Sequence, residues 1–155
     1  MENKIKAIIV DFDGTLYNSN ERQKRCFPPG GRKDWKRWND EAETDPPNSW
    51  CVQIVHAMRA AGTFPVFVSG RENAFREASV RWLKRNLNLV EGRDYELFMR
   101  TTNDSRKDSI IKSEIYHGHI EPKYDIQFCV DDRQQVVDMW RSLGLTCLQC
   151  APGNF

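Results

Sequence analysis

Short apolar runs alternate with helix-patterned stretches along almost the whole chain, and no other feature constrains the fold as tightly. Lys4–Val10, Phe64–Val68, Tyr95–Met99, Ile126–Val130 and Leu145–Gln149 read as strands. Between them, Asn48-Ser49 can cap a helix with apolar positions at Val52, Val55 and Met58–Ala61 that stops at Gly62. A second helix pattern runs from about Glu72 to Asn88, with Phe75, Ala78, Trp82 and Leu83 on one face. A third spans Asp104–His117 on Ile110, Ile111 and Ile115, and a fourth spans Arg133–Leu143, closed by Gly144. Continuous apolar strands alternating with helices predict an α/β domain with a parallel sheet and helices on both faces. Residues 18–48 show no clean period and carry Pro28-Pro29-Gly30-Gly31 and Pro46-Pro47, so they read as mostly loop, a small insert after the first strand.

The chain has 155 residues, which favours one domain over residues 1–155. A domain of this size buries roughly 68–70% of its unfolded surface and needs no disulfide or structural metal. With 23 Lys+Arg against 22 Asp+Glu, the charge does not point to disorder. The apolar runs are too short to span a bilayer. Met1-Glu2-Asn3-Lys4 leads into the first strand without an apolar signal region, so a soluble cytoplasmic protein is expected, in the host cytoplasm if phage-encoded. Cys26, Cys51, Cys129, Cys147 and Cys150 are odd in number and irregular in spacing, which suits free thiols. Cys147-Leu148-Gln149-Cys150 falls in an expected strand, where positions three apart point to opposite faces, and nothing completes a zinc set.

A parallel sheet binds ligands at the carboxyl ends of its strands, near the point where strand order reverses. The residues just past the strands are therefore the informative ones. They are Asp11 and Asp13 after the first, Ser69 and Arg71 after the second, and Asp131 and Asp132 after the fourth. Two aspartates two residues apart repel unless a cation or a shared proton lies between them. A divalent cation that prefers carboxylate oxygens, magnesium above all, suits such an acidic strand end. An isolated D-x-D-G can also be a plain turn, but a second acidic pair at another strand end argues against that reading.

Val10-Asp11-Phe12-Asp13-Gly14-Thr15-Leu16 resembles the first motif of the haloacid dehalogenase superfamily of aspartate-nucleophile phosphatases. Val68-Ser69-Gly70-Arg71 is similar to its second motif and Asp131-Asp132 to its fourth, so the resemblance covers nearly the whole chain and implies a Rossmann-like fold without a large cap. The third-motif lysine has two candidates, Lys107 and Lys112. A narrower likeness separates them. Phe98-Met99-Arg100, Asp104 to Asp108, Lys112-Ser113-Glu114 and Val130 to Arg141, with Gly144-Leu145 and Ala151-Pro152-Gly153-Asn154-Phe155, resemble the 3′-phosphatase domain of phage-type polynucleotide kinase–phosphatases. That likeness selects Lys112, with Asp108 four residues earlier on the same helix face. The phage pattern also includes a kinase P-loop, G-x-x-x-x-G-K-[ST], which this sequence lacks.

The resemblance implies roles. Asp11 is the expected nucleophile and Asp13 the general acid and base. Ser69 and Lys112 would hold phosphoryl oxygens, with Asp108 orienting Lys112. Magnesium would be held by Asp11, Asp13 through its backbone, Asp131 and Asp132. Arg22, Arg71 and Arg106 are substrate-side candidates, since arginine grips phosphate with paired donors. Arg100 and Arg133 are weaker ones, because a solvated arginine is the commoner case. His56, His117 and His119 match no ligand spacing, and Trp82 and Trp140 fall at core spacing. Residues 20–40 hold seven Lys+Arg against three acids, with Trp35 and Trp38 among them. That basic insert either touches a nucleic-acid backbone and stacks a base, or is a lid packed by its tryptophans. The expected substrate is a 3′-phosphorylated DNA or RNA end, and the alternatives are a phosphatase for free nucleotides or other small phosphomonoesters, or a binding protein without catalysis. Oligomeric state is not legible.

Overall fold

The computed structural model describes residues 3–155. Met1 and Glu2, the start of the stretch read above as lacking a signal region, lie outside the described residues. Five strands, β1 (Ile5–Val10), β2 (Phe64–Glu72), β3 (Glu96–Arg100), β4 (Tyr124–Asp131) and β5 (Cys147–Gln149), form one parallel sheet in the order β3-β2-β1-β4-β5. Six helices connect them: α1 (Asn20–Cys26), α2 (Trp35–Asp40), α3 (Ser49–Ala60), α4 (Arg76–Leu87), α5 (Asp108–Ile115) and α6 (Gln134–Ser142).

The period of two along a strand divides the core. Ile8 and Val10 of β1 point to one face, where they pack with Val55 of α3 and with Trp82 and Leu83 of α4. Ala7 and Ile9 point to the other face, against Val136, Val137 and Trp140 of α6 and Tyr116 and Ile120 after α5. Because both faces are covered, the central strands carry continuous buried apolar runs, Ala7–Val10 in β1 and Pro65–Val68 in β2, as expected for a buried parallel sheet.

Strand order reverses between β1 and β4, which places the crevice at their carboxyl ends. Val10 pairs with Val130, and Asp11 N–H donates to the Val130 carbonyl at 3.1 Å. The next residue of each strand, Asp11 and Asp131, is therefore brought side by side.

Several element boundaries differ from the sequence reading. Residues 18–48 are not mostly loop: they hold α1, α2 and a 3₁₀ turn at Ala42–Thr44. These helices are six and seven residues long and cover an aromatic cluster instead of the sheet, so they lack an amphipathic period. The helix expected from Asp104 starts at Asp108, because Arg100 draws the Asp104 and Arg106 carbonyls into a turn. It ends in a π turn at Tyr116–Ile120. β2 continues past Val68 to Glu72, with a register shift against β3 between Ser69 and Glu72. β5 spans only Cys147–Gln149, so Cys150 lies just beyond it. All five thiols are free. Among the described residues no helix is long and apolar enough to cross a membrane.

Candidate active site

Asp11 is buried where β1 ends, and α5 carries Lys112 underneath it. Lys112 Nζ donates to Asp11 Oδ1 at 2.8 Å and to Asp131 Oδ2 at 3.0 Å, and lies 3.7 Å from Asp108 Oδ2. Burial alone would lower the Lys112 pKa, but Asp108, Asp11 and Asp131 outweigh it and hold the ammonium firmly charged. The turn after β1 adds the Thr15 hydroxyl, which donates to Asp11 Oδ2 at 3.1 Å. Asp132 joins the group from the β4 exit. Gly14 has φ +79°, and a Cβ there would collide with the Asp132 carboxylate, so only glycine lets the two turns approach.

Asp11, Asp131 and Asp132 offer oxygens within 4.8 Å of one another. Burial and then Asp131 hold Asp11 well above the usual carboxylate range despite Lys112, and the same two causes push Asp132 up to about 6. Three buried carboxylates around one ammonium are short of positive charge. An all-oxygen donor set with that shortage fits a hard divalent cation such as Mg²⁺.

Asp13, two residues on, lies in the opposite surroundings. Its carboxylate is ion-paired to Arg22, and Arg71 Nε stands 3.2 Å from Asp13 Oδ2. Burial would raise the Asp13 pKa, but Arg71 and Arg22 outweigh it and hold it below the usual range. Arg22 is itself fully buried. It bonds Asp45 Oδ2 at 3.0 Å through Nε, donates to the Trp38 carbonyl at 2.6 Å, and lies 3.9 Å from the Trp38 ring centroid. Arg71 sits 4.4 Å from the Tyr17 ring centroid, and its Nε and Nη2 have no hydrogen-bond partner among the described residues.

The fold thus gathers Asp11, Asp13, Ser69, Arg22, Arg71, Asp108, Lys112, Asp131 and Asp132 in and around one crevice. Ser69 is buried within β2, just before its register shift against β3, its hydroxyl accepting from Arg71 N–H at 3.2 Å. Arg100 and Arg133 approach Asp108 at 3.5 and 3.7 Å. Arg106 is not drawn in: it is exposed and paired to Asp104 and Glu114. Lys107 is exposed as well. Trp35 stands out on α2, while Trp38 reaches the crevice through Arg22.

Three contributors were not singled out from the sequence. Thr15 and Asp45 act through contacts that only folding creates. Gly153 packs against the acidic loop, where a Cβ would meet the Asp132 carbonyl and lie 2.7 Å from Arg133 Cα; Gln134 N–H donates to its carbonyl at 2.9 Å. Cys150 Sγ rests 3.6 Å from Thr15 Oγ1, and burial pushes its thiol up to about 12, so it stays protonated.

Residues 5–155 match the family described as the polynucleotide kinase PNKP phosphatase domain. A protein of Autographa californica nuclear polyhedrosis virus, named as a bifunctional polynucleotide kinase/RNA ligase, is 30% identical over 89% of this chain and 18% of its own length. Two solved structures of Pnkp1/Rnl/Hen1 complexes contain a chain with TM-score 0.81, at 36% and 38% identity, covering 99% and 100% of this chain. This chain spans 46% and 49% of those chains. The tungstate-bound class C acid phosphatase of Bacillus anthracis shares the fold at TM-score 0.67 and 16% identity, over 99% of this chain and 68% of its own.

Proposed function

The chain belongs to the PNKP phosphatase-domain family of the haloacid dehalogenase superfamily, a phosphoric monoester hydrolase family, and from that premise we propose that it removes the 3′-phosphate from polynucleotide ends through an aspartyl-phosphate. The observation that carries this reading is the contrast between Asp11 and Asp13. One carboxylate lies among acids and Lys112, the other between two arginines. Carboxylates two residues apart in such different fields suit different roles.

In this reading Asp11 attacks phosphorus and the ester oxygen leaves, splitting one displacement into two. Asp13 gives that oxygen its proton, then takes one from the water that hydrolyses the acyl-phosphate. Arg71 Nη2, without a hydrogen-bond partner among the described residues, and Nε, held only by its ion pair to Asp13, suit phosphoryl oxygens. Their turn toward phosphate would loosen the hold on Asp13 and let it carry the proton. Ser69 and Lys112 steady the remaining oxygens, and Asp108 and Thr15 keep Lys112 and Asp11 in line. Mg²⁺ held by Asp11, Asp131, Asp132 and the Asp13 backbone would supply charge neutralisation for the phosphoryl group. Membership of a polynucleotide kinase–phosphatase family and the RNA repair complex among its relatives support the polynucleotide substrate.

The test compares phosphate release from a 3′-phosphorylated oligonucleotide with release from free 3′- and 5′-nucleotides at low salt. The oligonucleotide should be the better substrate. Equal or faster cleavage of a free nucleotide would replace this reading with a nucleotide phosphatase.

A further inference from the structure

The insert's charges and aromatics are mostly committed, and what is left over is informative. Trp38 is engaged on Arg22, 3.9 Å from its ring centroid, and stacks on Phe27 at 4.7 Å. Trp35 meets Phe27 only at a tilt and remains 55% exposed. Of the cations, Arg22 is buried, while Lys24, Arg25, Lys36 and Arg37 pair with Glu21, Glu41, Asp40 and Glu41. Arg32 and Lys33 have no carboxylate partner among the described residues. Neighbouring Asp34 is occupied with capping α2, its Oδ1 accepting from Arg37 N–H at 3.0 Å. Lys33 Nζ lies 5.8 Å from the Trp35 ring centroid. A half-exposed aromatic ring and two cations without a carboxylate partner therefore stand together where the chain enters α2.

We infer that Arg32, Lys33 and Trp35 form a strand-binding subsite, where a base of a single-stranded polynucleotide stacks on Trp35 and its backbone phosphate meets the two cations. A flat ring with an anion beside it is the chemistry of a nucleotide, and stacking platforms flanked by basic residues hold single strands without reading sequence. The subsite is joined to the crevice by packing: Trp35 rests on Phe27, Phe27 on Trp38, Trp38 on Arg22, and Arg22 on Asp13. It deepens the polynucleotide reading and rests on it, since a free nucleotide whose phosphate sits at Asp11 has no second unit to place here.

The quantity to measure is the efficiency on a 3′-phosphorylated oligonucleotide divided by that on a 3′-phosphorylated mononucleotide. Trp35→Ala should lower this ratio about tenfold, the usual effect of losing one stacked base. Trp35→Tyr keeps an aromatic platform and should restore most of it. Arg32→Glu with Lys33→Glu should lower the ratio and flatten its salt dependence. Trp50→Ala, at another exposed tryptophan, should leave it unchanged. An unchanged ratio in Trp35→Ala overturns the subsite, as does a parallel fall of both rates with the melting temperature, which would mark Trp35 as packing. A 3′-hydroxyl oligonucleotide, bound and followed by tryptophan fluorescence, reads the subsite apart from turnover. Weaker binding by Trp35→Ala supports the subsite even if the phosphatase reading fails, and equal binding overturns it even if that reading stands.

Discussion

At the strand exits Lys112, Asp11 and Asp131 form ion pairs with side chains 9% exposed or less, whereas on the insert the Lys36–Asp40 pair lies between side chains 88% and 47% exposed. Both regions are dense in charge, but their charges behave differently. In the crevice each charge has lost its water and depends on a specific partner, so removing one strands the others. On the outer face of the insert, away from the buried Arg22–Asp45 pair, water screens each pair, and long side chains lose entropy in holding it, so a single such pair contributes little. The crevice therefore concentrates desolvated charge at the strand exits, while the outer face of the insert spends most of its charge on itself.

The largest effect should follow Asp11→Asn. An amide is no nucleophile, so turnover should fall by well over about 10²-fold, beyond what loss of acid–base assistance alone commonly costs at its lower end. A steady-state rate above about a hundredth of the parent's would remove Asp11 from the nucleophile role.

Lys112→Ala should come next, and it sharpens the contrast when set beside Lys107→Ala. Removing the one ammonium among buried carboxylates should cost about 3 kcal/mol of stability and at least about 10²-fold in kcat. Lys107, exposed at the start of α5, should change stability by no more than about 0.5 kcal/mol. Chemical denaturation and phosphate release on both variants check this, and a reversed order would break the third-motif assignment.

Metal binding comes third. Mg²⁺ at about a hundred times its Kd should stabilise the protein by about 2.7 kcal/mol, or about 5–10 °C in Tm, and Asp131→Asn should abolish most of that rise. Calcium should stabilise but not activate, because its longer bonds and larger coordination number misplace the reacting groups. Full activity in excess chelator would overturn the metal assignment.

The smallest effect belongs to the insert. Lys36→Ala should cost less than about 0.5 kcal/mol, and the loss should vanish in about 1 M salt. A larger, salt-resistant loss would mean that the insert's pairs are coupled to the crevice.

The order of elements and the acidic strand exits were legible because they rest on local periodicity. Ile8 and Val10 alternate with Ala7 and Ile9, and the D-x-D spacing is set by the covalent chain. Lys112 and its partner Asp108 were legible as a helical pair, which the structure places 3.7 Å apart. The insert was not legible, because α1 and α2 are stabilised by Phe27, Trp38 and Arg22 coming together, and no short-range pattern announces such a cluster. Its apparent basic excess in residues 20–40 was misleading for a similar reason: Glu41, just beyond that window, takes both Arg25 and Arg37.

By itself, then, the sequence determined the strand–helix alternation, the two buried faces and the carboxylates that end β1 and β4, since each follows from residue spacing within one element. Only the tertiary structure decided which charges from different elements neutralise one another. Lys112 reaches Asp11 across 101 positions of chain, and Arg22 joins Asp13 to Asp45 from a helix that the local sequence hardly marks. Ion pairing needs approach to within a few ångströms, and that proximity is set by how the elements pack.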